Sequence, residues 1–331
     1  MRGYIIRFAL AAASLALLYY FGLLRFEALT ALYDQPGRVA IAALLLLLTI
    51  PLGALRWHLL LRCQGFLLPF RKTLEVVLVG QFFNTFLPGA YGGDIVRAGY
   101  IYHGARQQAG KLLFSILIDR LTGLTGLIAL GLAAQLLLPS AMDFRLTLFM
   151  VALVAAVVGG LCLLPLISRW TTAIAQRFSG LLGERVLQLS MQLTMAIEIY
   201  RKRADVVIVA VVISALQFAL ILAAFVVLAN AFDFATAKPS TIIYAGVVSL
   251  IANSVPLTPG GIGVGEAAFA NTVILIDPLA AGPYATIFLA SRALTLLLNL
   301  LGGLVFLAYR SEIIEYTAES RGAEKPQRVV D

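Results

Sequence analysis

A glycine- and proline-broken segment occurs twice in this chain, each time inside apolar sequence and each time ending in an acid. The first copy reads Asn84-Thr-Phe-Leu-Pro88-Gly89-Ala-Tyr-Gly92-Gly93-Asp94. The second reads Asn253-Ser-Val-Pro256-Leu-Thr-Pro259-Gly260-Gly261-Ile-Gly263-Val-Gly265-Glu266. A shift of 172 positions lays Gly89 on Gly261, Gly93 on Gly265, Asp94 on Glu266 and Arg120 on Arg292. An acid followed 26 residues later by an arginine therefore recurs in both halves. Broken backbone at membrane depth is tolerated only where it is buried in protein or lines a cavity. A matched pair of interrupted segments is the sequence mark of a transporter-type site.

The background is that of a membrane protein. Hydrophobic residues make up 61% of the chain and charged residues 13%, about half the charge of a soluble domain at roughly 25%. Two cysteines, Cys63 and Cys162, lack the spacing of a metal site or disulfide framework, and only His58 and His103 are histidines. No metal and no cofactor are expected. The net charge of +8 would suit a nucleic-acid binder, but the cations flank apolar segments, so membrane topology accounts for them and no nucleic-acid partner is expected.

The pattern predicts an all-α polytopic membrane protein with six full spans, near 4–24, 39–61, 110–138, 145–168, 205–230 and 284–309. Two interrupted segments remain, about 73–100 and 241–276. If each enters and leaves on the same side, nineteen Lys/Arg face the cytoplasm and four face the other side. A full crossing by 73–100 would instead carry the most basic loop, with Arg169, Arg177, Arg185, Arg201, Lys202 and Arg203, outside. Two re-entrant hairpins in an inverted repeat are therefore expected, in a cytoplasmic (inner) membrane with both termini cytoplasmic. The halves run about 39–138 and 205–309, linked by 145–203, within one membrane domain over 1–310. In 169–203, Trp170, Ile174, Phe178, Leu181 and Leu182 recur at helical spacing beside arginines, which fits an interfacial amphipathic helix or an ordinary connecting one. The polar tail 311–331 is expected to be disordered.

The residues able to carry chemistry are Asp94, Asp119, Arg120, Glu266 and Arg292, with Arg97 one turn after Asp94. Each charge costs roughly 2.5–3.5 kcal/mol at mid-bilayer on insertion scales, so such groups must be paired or face water. Two readings follow: internal ion pairs that pin helices, or arginines that bind an anionic headgroup while the acids balance them in the empty state. The planar guanidinium suits phosphate through bidentate hydrogen bonds. The acids can also cap the half-helices that restart at Gly92–Asp94 and Gly265–Glu266. Asn84 and Asn253 read as scaffold beside the breaks, able to satisfy loosened carbonyls. Asp119-Arg120 has Ser291-Arg292 as its counterpart, so the arginine is the shared element. Thr125, Thr295 and Asn299 are expected to bond across helices, His58 to anchor at the interface, and Glu75 to lie outside the site. No nucleophile–base constellation for catalysis is evident, so no catalytic residue is assigned.

Three stretches resemble a known family: Gly80-Gln-Phe-Phe-Asn-Thr-Phe-Leu-Pro-Gly-Ala-Tyr-Gly-Gly-Asp-Ile-Val-Arg97, Ser115-Ile-Leu-Ile-Asp-Arg-Leu-Thr-Gly-Leu124 and Pro259-Gly-Gly-Ile-Gly-Val-Gly-Glu266. They are similar to the lysylphosphatidylglycerol synthase transmembrane region, the flippase-like membrane domain of the multiple peptide resistance factors, also found as stand-alone proteins. Arg56-Trp57 fits the same pattern, and the likeness spans about residues 5–310. It implies Asp94, Arg97, Asp119, Arg120 and Glu266 as the family's polar positions; Arg292 is added from the internal repeat. In two-domain members a soluble domain aminoacylates phosphatidylglycerol and the membrane domain is associated with moving the product. No part of this sequence resembles that soluble domain, so lipid handling without lysyl transfer is expected.

The leading expectation is a lipid flippase-like transporter for an anionic phospholipid, aminoacyl-phospholipid or polyprenyl-phosphate-linked lipid, working through a central site between the hairpins. The alternative is a membrane-embedded lipid-modifying transferase, or an accessory subunit for a separately encoded one. The orientation is testable by scanning cysteines in a variant lacking Cys63 and Cys162. Arg177→Cys should label from the cytoplasm and Lys238→Cys from the opposite side, and labelling of both from one side would overturn the arrangement.

Overall fold

The computed structural model describes residues 12–86, 92–102, 109–137, scattered positions between 144 and 170, 181–255, 257–280 and 282–322. Among these residues the regular structure is helical, with no strand. The helices are α1 (Pro36–Cys63), α2 (Phe70–Phe86), α3 (Gly92–Tyr102), α4 (Ala109–Leu137), α5 (Leu181–Lys202), α6 (Ala204–Ala229), α7 (Pro239–Ser254), α8 (Val264–Ile276) and α9 (Ala285–Gly322). Four stretches are long and apolar enough to cross a bilayer: Pro36–Cys63, Gly110–Leu136, Ala204–Ala229 and Ala285–Ala308. The protein is thus an all-α polytopic membrane protein. Of the expected spans, 4–24 is described from residue 12 onward, with 12–20 helical, and 145–168 only at scattered positions; the segment holding Ile174 and Phe178 lies outside the described residues.

Local sequence sets the helix ends. Pro36 and Pro239 occupy first-turn positions, where a missing N–H costs nothing. After α1 the chain turns through Gly65 at φ +90°, with Gly65 N–H bonded to the Arg62 carbonyl and Phe66 N–H to that of Leu61. These are the two bonds of a Schellman motif, which needs a residue in the left-handed region. At the far end α9 continues past Arg310 to Gly322, where the sequence reading expects a disordered tail. The stretch from Ser311 to Ser320 holds no glycine or proline to stop it, so helix propagates out of the apolar span.

Each interrupted segment folds back on itself. α2 folds back on α3 and α7 on α8, so each Gly/Pro break joins two helices that lie against each other. At 1.5 Å per residue α8 is about 20 Å long, short of the roughly 30 Å apolar layer. α1 and α6 pack along their length and carry the two halves against each other. Ile41, Leu44, Ile208, Val212, Leu297 and Leu304 point their side chains outward, the lipid-facing stripe of the long helices. Inside, Phe225, Phe269 and Phe288 cluster with ring centroids 5.4–6.1 Å apart and tie α6, α8 and α9 together.

Glycines set how closely the helices approach. A Cβ on Gly302 would overlap the Leu78 carbonyl, and one on Gly126 would overlap Ser214. Lipid gives helices no hydrophobic reason to associate, so such close backbone packing is what holds them. Gly302→Ala should lower the melting temperature in detergent by several degrees and reduce the monodisperse yield. Gly99→Ala, where a Cβ meets nothing within 4 Å, should leave both unchanged. Equal behaviour of the two variants in a fluorescence size-exclusion melt would contradict this packing.

Candidate functional site

The second break turns through Gly260, Gly261 and Gly263 at φ +59°, +68° and +85°, a region that side chains with a Cβ rarely adopt. Added at Gly261, a Cβ would also collide with Asn253. Beyond the turn, Glu266 is fully buried. Its Oε2 accepts the Gly263 N–H at 2.8 Å, capping α8, and its Oε1 accepts Arg292 Nε–H at 2.7 Å. Arg292 Nη1 donates to the Gly260 carbonyl at 2.6 Å, and Nη2 to Asn253 Oδ1 at 3.0 Å and the Gly261 carbonyl at 3.2 Å. One side chain from α9 thus closes the break, neutralises the acid and holds the asparagine of α7. Thr258 Oγ1 adds a bond to the Ile262 carbonyl at 2.8 Å. Pro256 lies outside the described residues, and Pro259 and Gly265 flank the turn at its start and at the head of α8.

The first half repeats this plan and extends it. Pro88 and Gly89 lie outside the described residues, but Gly92 opens α3 and the Gly93 N–H donates to Asn84 Oδ1 at 2.8 Å. Gly93 also lies so close to Gly80 and Asn84 that a Cβ would overlap both. Arg120 donates to Asp94 Oδ2 through Nη2 at 2.7 Å and Nε at 3.1 Å, so the 26-residue spacing closes into an ion pair in both halves. Arg97 then lies between Asp94 at 3.4 Å and Asp119 at 3.5 Å, its guanidinium 3.9 Å from the centre of the Trp57 ring. Arg56 Nε binds Asp119 Oδ1 at 2.8 Å, and its Nη1 reaches Ser214 Oγ at 2.9 Å and Gln217 Oε1 at 3.4 Å. Gly123 leaves room for Arg56, since a Cβ would lie 3.2 Å from Nη1.

Among the described residues this cluster has three arginines against two aspartates, a formal excess of one positive charge. Arg120 has 49% of its side chain exposed, against 11% or less for the other four. The second half, by contrast, is balanced one to one.

A cavity of about 280 Å³ opens between α1, α2, α6, α7 and α9. Its polar lining is Thr49, Gln81, Gln217, Asn253, Ser291, Arg292, Thr295 and Asn299, beside Phe225 and Phe288. Of the six expected site residues, Arg292 lines this cavity; Asp94, Arg97, Asp119, Arg120 and Glu266 do not. Gln217 joins the two regions, because it lines the cavity, accepts from Arg56 and donates to the Thr49 carbonyl at 3.1 Å.

Several sequence expectations change here. Arg56, named from the sequence only through the family likeness, lies within the ion cluster with 11% of its side chain exposed. The signal was its place inside α1, two turns before Cys63. Ser214 and Gln217 were missed as well, although they are the hydrogen-bonding residues of α6 beyond Asp205. His58 is buried, with Nδ1 3.1 Å from Thr73 Oγ1, and is a helix–helix contact rather than an interfacial anchor. Thr125 and Thr295 bond carbonyls of their own helices, at 2.8 and 2.9 Å, because a threonine hydroxyl reaches the preceding turn. Asn299 does cross, donating to Thr85 Oγ1 at 2.8 Å. The two asparagines beside the breaks accept from donors, Gly93 N–H and Arg292, instead of serving carbonyls. Glu75 pairs with Arg71 and Lys72 away from the site. Among the described residues no group of three or more His, Cys, Asp or Glu could hold a metal ion.

Compared with known proteins, the chain matches the family described as lysylphosphatidylglycerol synthase TM region over residues 4–303. No curated protein and no solved structure matches it.

The geometry separates the two arginines by their work. Removing one partner of a buried, hydrogen-bonded pair leaves the other charge uncompensated, at about 3–5 kcal/mol. Arg292→Ala and Asp119→Asn should therefore melt many degrees lower or fail to accumulate. Arg120→Ala, whose side chain is half exposed, should lose far less. A melt of Arg120→Ala as low as that of Arg292→Ala would contradict this division.

Proposed function

This chain belongs to the lysylphosphatidylglycerol synthase transmembrane-region family, and from that premise we propose that it moves an anionic lipid between the leaflets of the cytoplasmic membrane. Family membership ties the chain to membrane lipid. The observation that carries the finer reading is the cationic excess of the first cluster, with Arg120 as its accessible member. Arg56 and Arg97 are held in place by Asp119, Trp57, Ser214 and Gln217, so the positive site is preorganised before any ligand arrives.

In the empty state Asp94 holds Arg120. A headgroup phosphate competes for the exposed side of that guanidinium, accepting hydrogen bonds from a planar fork that a carboxylate already matches. The charge that enters is offset by the excess arginine, so it crosses apolar surroundings without remaining unpaired. Arg292 has another task in this scheme: it keeps the second break rigid, while Arg120 exchanges partners. Two hairpins, re-entrant from opposite sides, would give the repeat the inverted symmetry by which secondary transporters expose one site to either face in turn. The sequence carries no phosphate-loop motif for a nucleotide, so the lipid gradient or an ion gradient drives the exchange.

Arg120→Lys tests this directly, because it keeps the charge and removes the fork. The variant should be made in near-normal amount and melt near wild type, yet lose at least about tenfold in lipid translocation in proteoliposomes. Unchanged translocation would defeat specific headgroup recognition at Arg120. Loss of the protein itself would place Arg120 in the scaffold.

A further inference from the structure

We infer that the cavity between α1, α2, α6, α7 and α9 receives an uncharged, hydrogen-bonding headgroup moiety, a polyol or amide, and turns away a cationic one. This rests on the lipid-carrier reading and adds to it what lies beyond the phosphate. Apart from Arg292, the polar part of the described lining is neutral: the carboxamides of Gln81, Gln217, Asn253 and Asn299 and the hydroxyls of Thr49, Ser291 and Thr295. Thr49 and Thr295 give their one O–H to carbonyls of their own helices and offer lone pairs, while carboxamides both donate and accept, a set that matches a ligand whose own hydroxyls do both.

The one charged wall residue does not change that chemistry. Arg292 is balanced by Glu266, and its Nε and both terminal nitrogens already donate to Glu266, Gly260, Asn253 and Gly261. It therefore has too few donors left to clamp a second phosphate. Among the described residues no carboxylate lines the cavity, and Glu266 is fully buried, so an ammonium group there would face a guanidinium whose counter-ion is shielded. Phe225 and Phe288 supply a flat apolar wall for the carbon skeleton of the head. About 280 Å³ sits at the low end of small-ligand pockets, which run from about 300 Å³ upward, and suits one small polyol or sugar ring but no acyl chain. Gln217 lines this wall and accepts from Arg56, which joins the cavity to the arginine-rich cluster.

Native mass spectrometry of the purified protein, offered equal amounts of three lipids, decides the matter. Phosphatidylglycerol carries a neutral polyol, phosphatidic acid carries the phosphate alone, and lysyl-phosphatidylglycerol adds ammonium groups. Phosphatidylglycerol should be retained about tenfold better than either, the effect of one or two good hydrogen bonds. Gln81→Leu with Thr295→Val should erase that preference while still retaining all three, and Arg120→Ala should weaken all three together. Thr295→Val alone, nearly isosteric, should halve the preference or more if the double variant does not accumulate. Equal retention of the three lipids by wild type, or tighter retention of lysyl-phosphatidylglycerol, would overturn the cavity assignment and leave the carrier reading standing. Retention of no anionic lipid, with wild type and Arg120→Ala alike, would overturn both. Displacement of phosphatidylglycerol by an equal concentration of free glycerol phosphate would assign the cavity to a soluble ligand and overturn its place in lipid binding.

Discussion

A helix that stops inside an apolar layer leaves carbonyls and amides that lipid cannot serve, and this molecule answers with an arginine. Arg292 supplies donors to the Gly260 and Gly261 carbonyls, to Asn253 and to Glu266, while Glu266 caps the next half-helix through Gly263. The acid is required because a lone guanidinium could not stay buried, and the glycines because the turn needs φ values near +60° to +85°. Remove any of the three and the other two become liabilities. The position of α8 against α9 follows from that closure.

The two halves start from the same plan and diverge in what the arginine is free to do. In the second half its donors are committed to the break. In the first, Arg120 pairs with Asp94 and stays half exposed, while Asp119, Arg97 and Arg56 extend the pair into a chain of five alternating charges. Alternation lowers the energy of burying each charge, since every inner member lies between two of opposite sign. Because the chain begins and ends on arginine, it cannot be neutral. One copy of the repeat thus has its arginine bound up in the break, and the other leaves its arginine half exposed.

Close helix contacts turn these side-chain relations into a fixed geometry. Gly126 lets α4 approach Ser214 on α6, Gly123 leaves space for Arg56, and Gly80 lies against Arg97. Ser214 and Gln217 then present their polar atoms to Arg56 from a helix that is otherwise nearly all apolar. The aromatic cluster of Phe225, Phe269 and Phe288 packs beneath Arg292, whose guanidinium lies 5.4 Å from the Phe288 ring. The cavity is what remains where these bulky and small residues do not fill the space between the halves.

The sequence by itself determined the membrane class, the four long apolar helices now seen, the doubled break and the recurrence of an acid and an arginine 26 residues apart. Each of these rests on local composition or on a spacing that recurs, and a repeat at 172 residues shows which positions correspond, while the structure closes each acid onto its arginine. Tertiary structure alone decided that Arg56 joins Asp119 across 63 residues, that Ser214 and Gln217 complete its shell, and that Arg292 lines the cavity while Arg120 does not. Those contacts have no counterpart in the repeat and no helical period to announce them. They depend on which faces of α1, α4 and α6 meet. That choice is made by glycine-sized gaps and side-chain volume, quantities that belong to pairs of helices and to neither helix alone.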